Sequence, residues 1–129
     1  MVFVDSNVPM YLVGQPHANR RRLEAFLRTH PDEPYVTSAE VYQEVVHRYI
    51  AIDRRQAITD CFDFLSAVVQ TVYPITKEDV EQAAAVSLAQ RGLSGRDCLH
   101  IAVMERYGVK RVLTCDEAFD LWPDILRLP

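Results

Sequence analysis

The sequence predicts an α/β fold: a three-layer α/β/α sandwich around a central, mostly parallel sheet of four to five strands, with residues 1–129 forming a single domain. Three observations predict it. Short apolar runs alternate with longer helical patterns, which implies parallel strands joined by covering helices. Ser/Thr-x-x-Asp/Glu signatures stand where several of those helices open. No repeat, low-complexity stretch or linker interrupts the 129 residues, a length suited to one core.

The elements follow in order. Val2–Val4 reads as a short buried strand ending at Asp5. A helical turn runs from about Val8 to Val13, with Pro9 tolerated in its first turn and Gly14 stopping it. Ala18 to Thr29 is amphipathic, with Leu23, Phe26 and Leu27 inward, and Pro31 and Pro34 break the chain before a strand at Tyr35–Thr37. Thr37-Ser38-Ala39-Glu40 fits a capping box opening a helix to about Ile50. Asp53 is expected to start the next helix, to about Val69, followed by a strand near Val72–Ile75. Thr76-Lys77-Glu78-Asp79 opens a helix to about Arg91, and Ser94-Gly95-Arg96-Asp97 opens one ending at Tyr107-Gly108. Strands at Arg111–Thr114 and Ile125–Leu128 complete the sheet.

Bulk properties limit the possible classes. Hydrophobic content of 49% and charged content of 25% are ordinary for a soluble globular protein. No apolar run is long enough to span a bilayer, and MVFVDSN enters a strand with no room for a cleavable signal, so a cytoplasmic protein is expected. Cys61, Cys98 and Cys115 are widely spaced, form no C-x-x-C pair and read as small buried hydrophobes. The net charge of −4 does not resemble a basic nucleic-acid binder. Yet setting aside four acids that cluster by topology leaves 14 of the 18, matched by 14 basic residues.

Those four are Asp5, Glu44, Asp97 and Asp116. Sites in open parallel sheets form beyond the carboxyl ends of the strands. Asp5 and Asp116 each follow a strand there. The helix carrying Asp97 returns to the Arg111–Thr114 strand through a three-residue turn, so its N-terminal turn lies at the same edge. Glu40 and Glu44 compete for one place. Val41, Tyr42, Val45, Val46 and Tyr49 define the apolar face of their helix; Glu40 points away from it, while Glu44 lies at its boundary. Glu44 is also about 9 Å into the helix from Ser38. Acids so gathered cannot all stay ionised without a counter-charge, and no Lys or Arg holds a fixed place in all four neighbourhoods. A divalent cation answers this, and oxygen-only ligation favours Mg²⁺ or Mn²⁺ over zinc.

Each acid alone has an ordinary reading: Asp5 as a turn cap, Asp97 as the third residue of a capping box, Glu44 as a surface glutamate and Asp116 as a turn residue with Asp120 as a rival. Asp97, however, heads a helix that is apolar nearly all round, where an unpaired carboxylate is costly. Asn7 either holds a metal-bound water or phosphate oxygen or, like Ser6, caps the short helix. Thr114 precedes the last acids as a strand hydroxyl. His100 is more simply a core or rim histidine than a catalytic one. No paired nucleophile and no Gly-rich phosphate loop is present.

VFVDSNVPMYLVG, VTSAEVYQEVV and LSGRDCLHIAVMERYGVKRVLTCDEAFD resemble the motifs of the PIN domain, and more narrowly those of VapC-type toxins of bacterial toxin–antitoxin pairs. The resemblance covers nearly the whole chain. It implies that Asp5, Glu44, Asp97 and Asp116 form an acidic metal-binding quartet, with Asn7, Thr114 and Asp120 as supporting candidates. It further implies a Mg²⁺- or Mn²⁺-dependent endoribonuclease that activates water against RNA, frequent homodimers and inhibition by a small cognate antitoxin. Pro9 stands where many relatives carry an aliphatic residue. RNA would be read by residues such as Tyr11, Arg20–Arg22, Arg48 and Arg96. The alternatives are an inactive PIN-like RNA- or antitoxin-binding module, or another Mg²⁺-dependent phosphohydrolase. An aspartyl-phosphate phosphatase would want an acid where Asn7 stands.

Overall fold

The computed structural model describes residues 1–129. Its core is a five-stranded sheet, parallel throughout, in the order β3-β2-β1-β4-β5. The strands are β1 (Val2–Val4), β2 (Tyr35–Ser38), β3 (Thr71–Tyr73), β4 (Arg111–Leu113) and β5 (Leu126–Leu128). The central strand β1 is entirely apolar and completely buried, as a parallel strand covered on both faces should be. It pairs Val2 with Tyr35 on one side and Val2 with Arg111 on the other.

Six helices clothe the sheet: α1 (Asn7–Val13), α2 (Ala18–Thr29), α3 (Ala39–Ala51), α4 (Gln56–Val68), α5 (Lys77–Ala89) and α6 (Gly95–Tyr107). From β1 the chain steps outward to β2 and β3, with α1–α4 packed together along that route. It then crosses back to β4 and β5 through α5 and α6, which pack against each other. Right-handed crossovers running in opposite directions place their helices on opposite faces, which yields the α/β/α layers. The direction of strand addition reverses between β1 and β4, so a crevice opens beyond the carboxyl ends of these two strands. None of the helices is long and apolar enough to cross a membrane.

Local signals account for most boundaries. Thr76 and Asp79 close a full capping box, and Gly108 ends α6 at φ 70°, a left-handed conformation suited to glycine. Two expectations are corrected. The box expected at Thr37–Glu40 does not form, because Thr37 Oγ1 donates instead to the Val4 carbonyl at 2.7 Å and the Ser38 hydroxyl caps nothing. Asp53 does not open α4; it sits at φ 52° in the turn after α3, and the helix begins at Gln56. A 3₁₀ turn at Glu117–Leu121, unforeseen in the sequence, follows β4.

Candidate metal centre

Asp5 leaves the end of β1 buried, with three donors on its carboxylate. The Ser6 amide reaches Oδ1 at 2.7 Å, while Thr114 Oγ1 at 2.7 Å and Asn7 Nδ2 at 3.2 Å reach Oδ2. The Thr114 hydroxyl is the hub of this network: it donates to Asp5 and accepts from Asn7 Nδ2 at 2.8 Å and from the Asp116 amide at 3.0 Å. Asn7 Oδ1 in turn accepts from the Cys115 amide at 3.2 Å. The ends of β1 and β4 are thereby tied together by side chains as well as by the strand ladder. Burial raises the Asp5 carboxyl above its ordinary range; His100 and Thr114 oppose the rise, and Glu44 adds to it.

Glu44, on α3, is buried against the same strand end. Ser6 Oγ donates to its Oε2 at 3.0 Å, and His100 Nε2 of α6 lies against its Oε1. Glu44 Oε1 and His100 Nε2 are both enclosed and face each other, with no other hydrogen-bond partner for either atom. His100 Nε2 is also 3.6 Å from Asp5 Oδ1. Burial pulls the imidazole toward neutrality, but Glu44, Asp5 and Asp97 outweigh it and raise its proton affinity. For Glu44, burial raises the carboxyl, yet His100 and Ser6 prevail and hold it below its ordinary range.

Asp97 occupies the first turn of α6, 8% exposed. Its amide takes the Ser94 hydroxyl as cap at 3.1 Å, leaving its own carboxyl free to turn toward Asp116 and Asp5. Burial, the charges of Asp116 and Asp5, and a hydrogen bond to Asp116 push the Asp97 carboxyl up to about 7. Asp116 itself caps the 3₁₀ turn through Oδ1 and the Ala118 amide at 2.9 Å.

The structure therefore brings Asp5, Glu44, Asp97 and Asp116 to one place: Asp5 neighbours Glu44 and Asp97, Asp116 neighbours Asp97, and Asn7 and Thr114 serve as braces. Asp120 stands apart, exposed and gripped by Arg127 at 2.9 and 3.0 Å. Glu40 lies nearer than its helical position suggests: it is half-buried at the rim, and burial together with Glu44 raises its carboxyl, against His100 and Arg96. Two participants were underweighted in the sequence. His100 lies three residues after Asp97, one turn along the same stripe, and Ser6 lies next to Asp5. His100 thus adds to the cluster a ring that faces both Glu44 and Asp5, beside the divalent cation that the gathered acids imply.

The residues fit a divalent cation. Ligand atoms of Asp5, Glu44 and His100 lie within 4.8 Å of one another. On the opposite flank Asp97 faces Asp116 and Asp5 with no Lys or Arg in an ion pair with them, and burial together with these two charges raises its carboxyl. Carboxylate oxygens of this kind suit a hard cation, while the His100 nitrogen nearest the acids is engaged by Glu44.

A crossover-built parallel sheet with acids gathered at its switch point defines the class, and the PIN domain model matches residues 2–123. Ribonuclease VapC13 of Mycobacterium tuberculosis is 48% identical over 132 residues, covering 99% of each chain. Among solved structures, Mycobacterium tuberculosis VapC20, a Sarcin-Ricin loop cleaving toxin, superposes with a TM-score of 0.83 at 21% identity over 100% of both chains. A toxin–antitoxin complex from Klebsiella pneumoniae gives 0.70 at 15% identity, over 98% of this chain and 96% of that one. The chain belongs to the PIN-domain family, within its VapC-type branch of ribonucleases.

Proposed function

We propose that this protein, a single domain over residues 1–129, is a Mg²⁺- or Mn²⁺-dependent endoribonuclease and the toxin of a VapBC-type pair. The observation that carries the metal dependence is the convergence of buried Asp5, Glu44 and Asp97 with Asp116 beyond the carboxyl ends of β1 and β4. Asp5, Glu44, Asp97 and Asp116 would hold the metal. When bound, the ion supplies a Lewis acid for a phosphate oxygen and lowers the pKa of a ligated water.

The chain's own groups have separable tasks. Asp97, whose carboxyl is raised by burial, Asp116 and Asp5, would have to be deprotonated to serve as a ligand, so metal binding would compete with its proton. Thr114 and Asn7 fix the Asp5 carboxylate, and Ser6 and His100 fix Glu44, so the donors are oriented before substrate arrives. A small cognate antitoxin, homodimers and a cytoplasmic location belong to the same reading, and the toxin–antitoxin complex of similar fold supports the first of these. The test is cleavage of total cellular RNA by purified protein with Mn²⁺, Mg²⁺ or EDTA, beside Asp97→Asn. Discrete fragments that require metal and Asp97 are expected; cleavage that persists in EDTA or in the variant would overturn the proposal.

A further inference from the structure

A pocket of about 360 Å³ opens beside the acids, between α1 and the end of α3. Asn7 forms its inner wall, with the same side chain that braces Asp5. Met10, Tyr11, Tyr49 and Ile52 line it with apolar and aromatic surface, and Arg48 and Arg54 line it as well. No acid lines this pocket, and neither guanidinium takes part in an ion pair or a side-chain hydrogen bond. Every other arginine–carboxylate pair in the protein lies elsewhere, at Arg20, Arg55, Arg106, Arg111 and Arg127. Two guanidinia without an ion-pair partner, lining one pocket with apolar and aromatic side chains, suit an anion joined to a planar group.

We infer that this pocket seats the nucleotide next to the scissile phosphate of single-stranded RNA. The backbone phosphate is held by Arg48 and Arg54, and the unpaired base lies over Met10 and Tyr11. The inference rests on the ribonuclease reading and adds where the strand enters. The physical logic is a division of charge. The acids repel an RNA backbone until metal is bound, so affinity has to come from cations set to one side of them. Guanidinia grip phosphate oxygens with fixed geometry, and a base stacks on an aromatic or thioether face only when it is unpaired. A duplex cannot offer such a base to a pocket of this size. By contrast, a cavity of about 280 Å³ at the opposite edge, lined by Met104, Val109, Trp122 and Ile125 with Glu105 and Asp124, adjoins none of the site acids.

The test is binding of a short fluorescein-labelled single-stranded RNA of mixed sequence to full-length protein in EDTA, read by anisotropy over a salt series. R48Q/R54Q is expected to weaken binding at least about tenfold and to flatten the log–log salt slope by about 0.7, the value for one neutralised phosphate on a single strand. R48K/R54K keeps the slope, since the charges remain. Tyr11→Leu, which retains an apolar contact, loses about 5- to 140-fold in affinity with the slope unchanged. Lys110→Gln, at the other edge of the sheet, binds as wild type does. If wild type cleaves RNA with Mn²⁺ but R48Q/R54Q binds no worse than Lys110→Gln, the pocket serves another partner, such as an acidic protein segment; this inference then falls and the ribonuclease reading stands. If wild type neither binds nor cleaves RNA, both fall.

Discussion

His100 and Glu44 meet in a fully enclosed contact between α6 and α3, Nε2 against Oε1, with Asp5 Oδ1 3.6 Å from the same nitrogen. One ring therefore faces two buried carboxylates, and no Lys or Arg is paired with either. Removing one partner of a buried charge pair strands the other. His100→Ala is expected to destabilise the metal-free protein by about 3–5 kcal/mol. Mn²⁺ should then raise the unfolding midpoint of the variant more than that of wild type. Chemical denaturation with and without Mn²⁺ checks both; an unchanged midpoint in EDTA would show that the ring does not balance the acids.

Thr114 is expected to matter through orientation rather than ligation. Thr114→Val keeps the shape but removes the donor to Asp5 and the acceptor for Asn7 and the Asp116 amide. A loss of about 10- to 100-fold in metal affinity or activity follows, with most of it recovered in Thr114→Ser. Mn²⁺ titration by calorimetry reads this directly, and equal affinity in the valine variant would rule out the brace.

The metal-free protein should lose stability as pH rises. Asp97 has its folded value raised from 3.8 to about 7, so the folded state holds this proton more tightly than the unfolded chain. Its contribution is fully present below 3.8 and is lost as pH climbs through about 7. His100, raised from 6.5, adds a loss of the same sign at higher pH, whereas Glu44, lowered from 4.5, acts in the opposite sense below this window. Denaturant midpoints in EDTA between about pH 5 and pH 8 should fall, and Asp97→Asn should flatten the decline. Metal affinity should rise over the same range because cation and proton compete for the same oxygens.

Asp116 and Asp120 separate cleanly by environment. Asp116→Asn should abolish metal-dependent cleavage, since its carboxyl adjoins Asp97. Asp120→Asn, which removes only an exposed partner of Arg127, should leave activity within about twofold. RNA cleavage assays of the two variants decide the point, and the reverse pattern would place the fourth acid wrongly.

Much of this architecture is legible in the chain because period and punctuation agree. Val2–Val4 can only be a buried strand, and Thr76 and Asp79 announce a helix that they do cap. The convergence of the acids follows from one topological rule, that strand ends in a parallel sheet share an edge. What escapes the sequence depends on docking between distant elements. Thr37 matches a cap by type, but the proximity of the Val4 carbonyl, set by β1–β2 register, captures its hydroxyl. His100 has nothing in its local pattern to distinguish it from a core residue. Its role arises only when α3 brings Glu44 across from a segment 56 positions earlier.

The hydrogen bond from Thr114 to Asp5 spans 109 positions of sequence and crosses from the first strand to the fourth. Until β4 has been synthesised and has added to β1, Asp5 lacks its brace and Asp97 its neighbour Asp116. A nascent chain therefore carries no assembled centre while most of it is being translated. Long-range parallel pairing of this kind forms late and slowly. The interval between emergence of the chain and completion of the sheet is a latent period in which a partner can arrive before the enzyme exists.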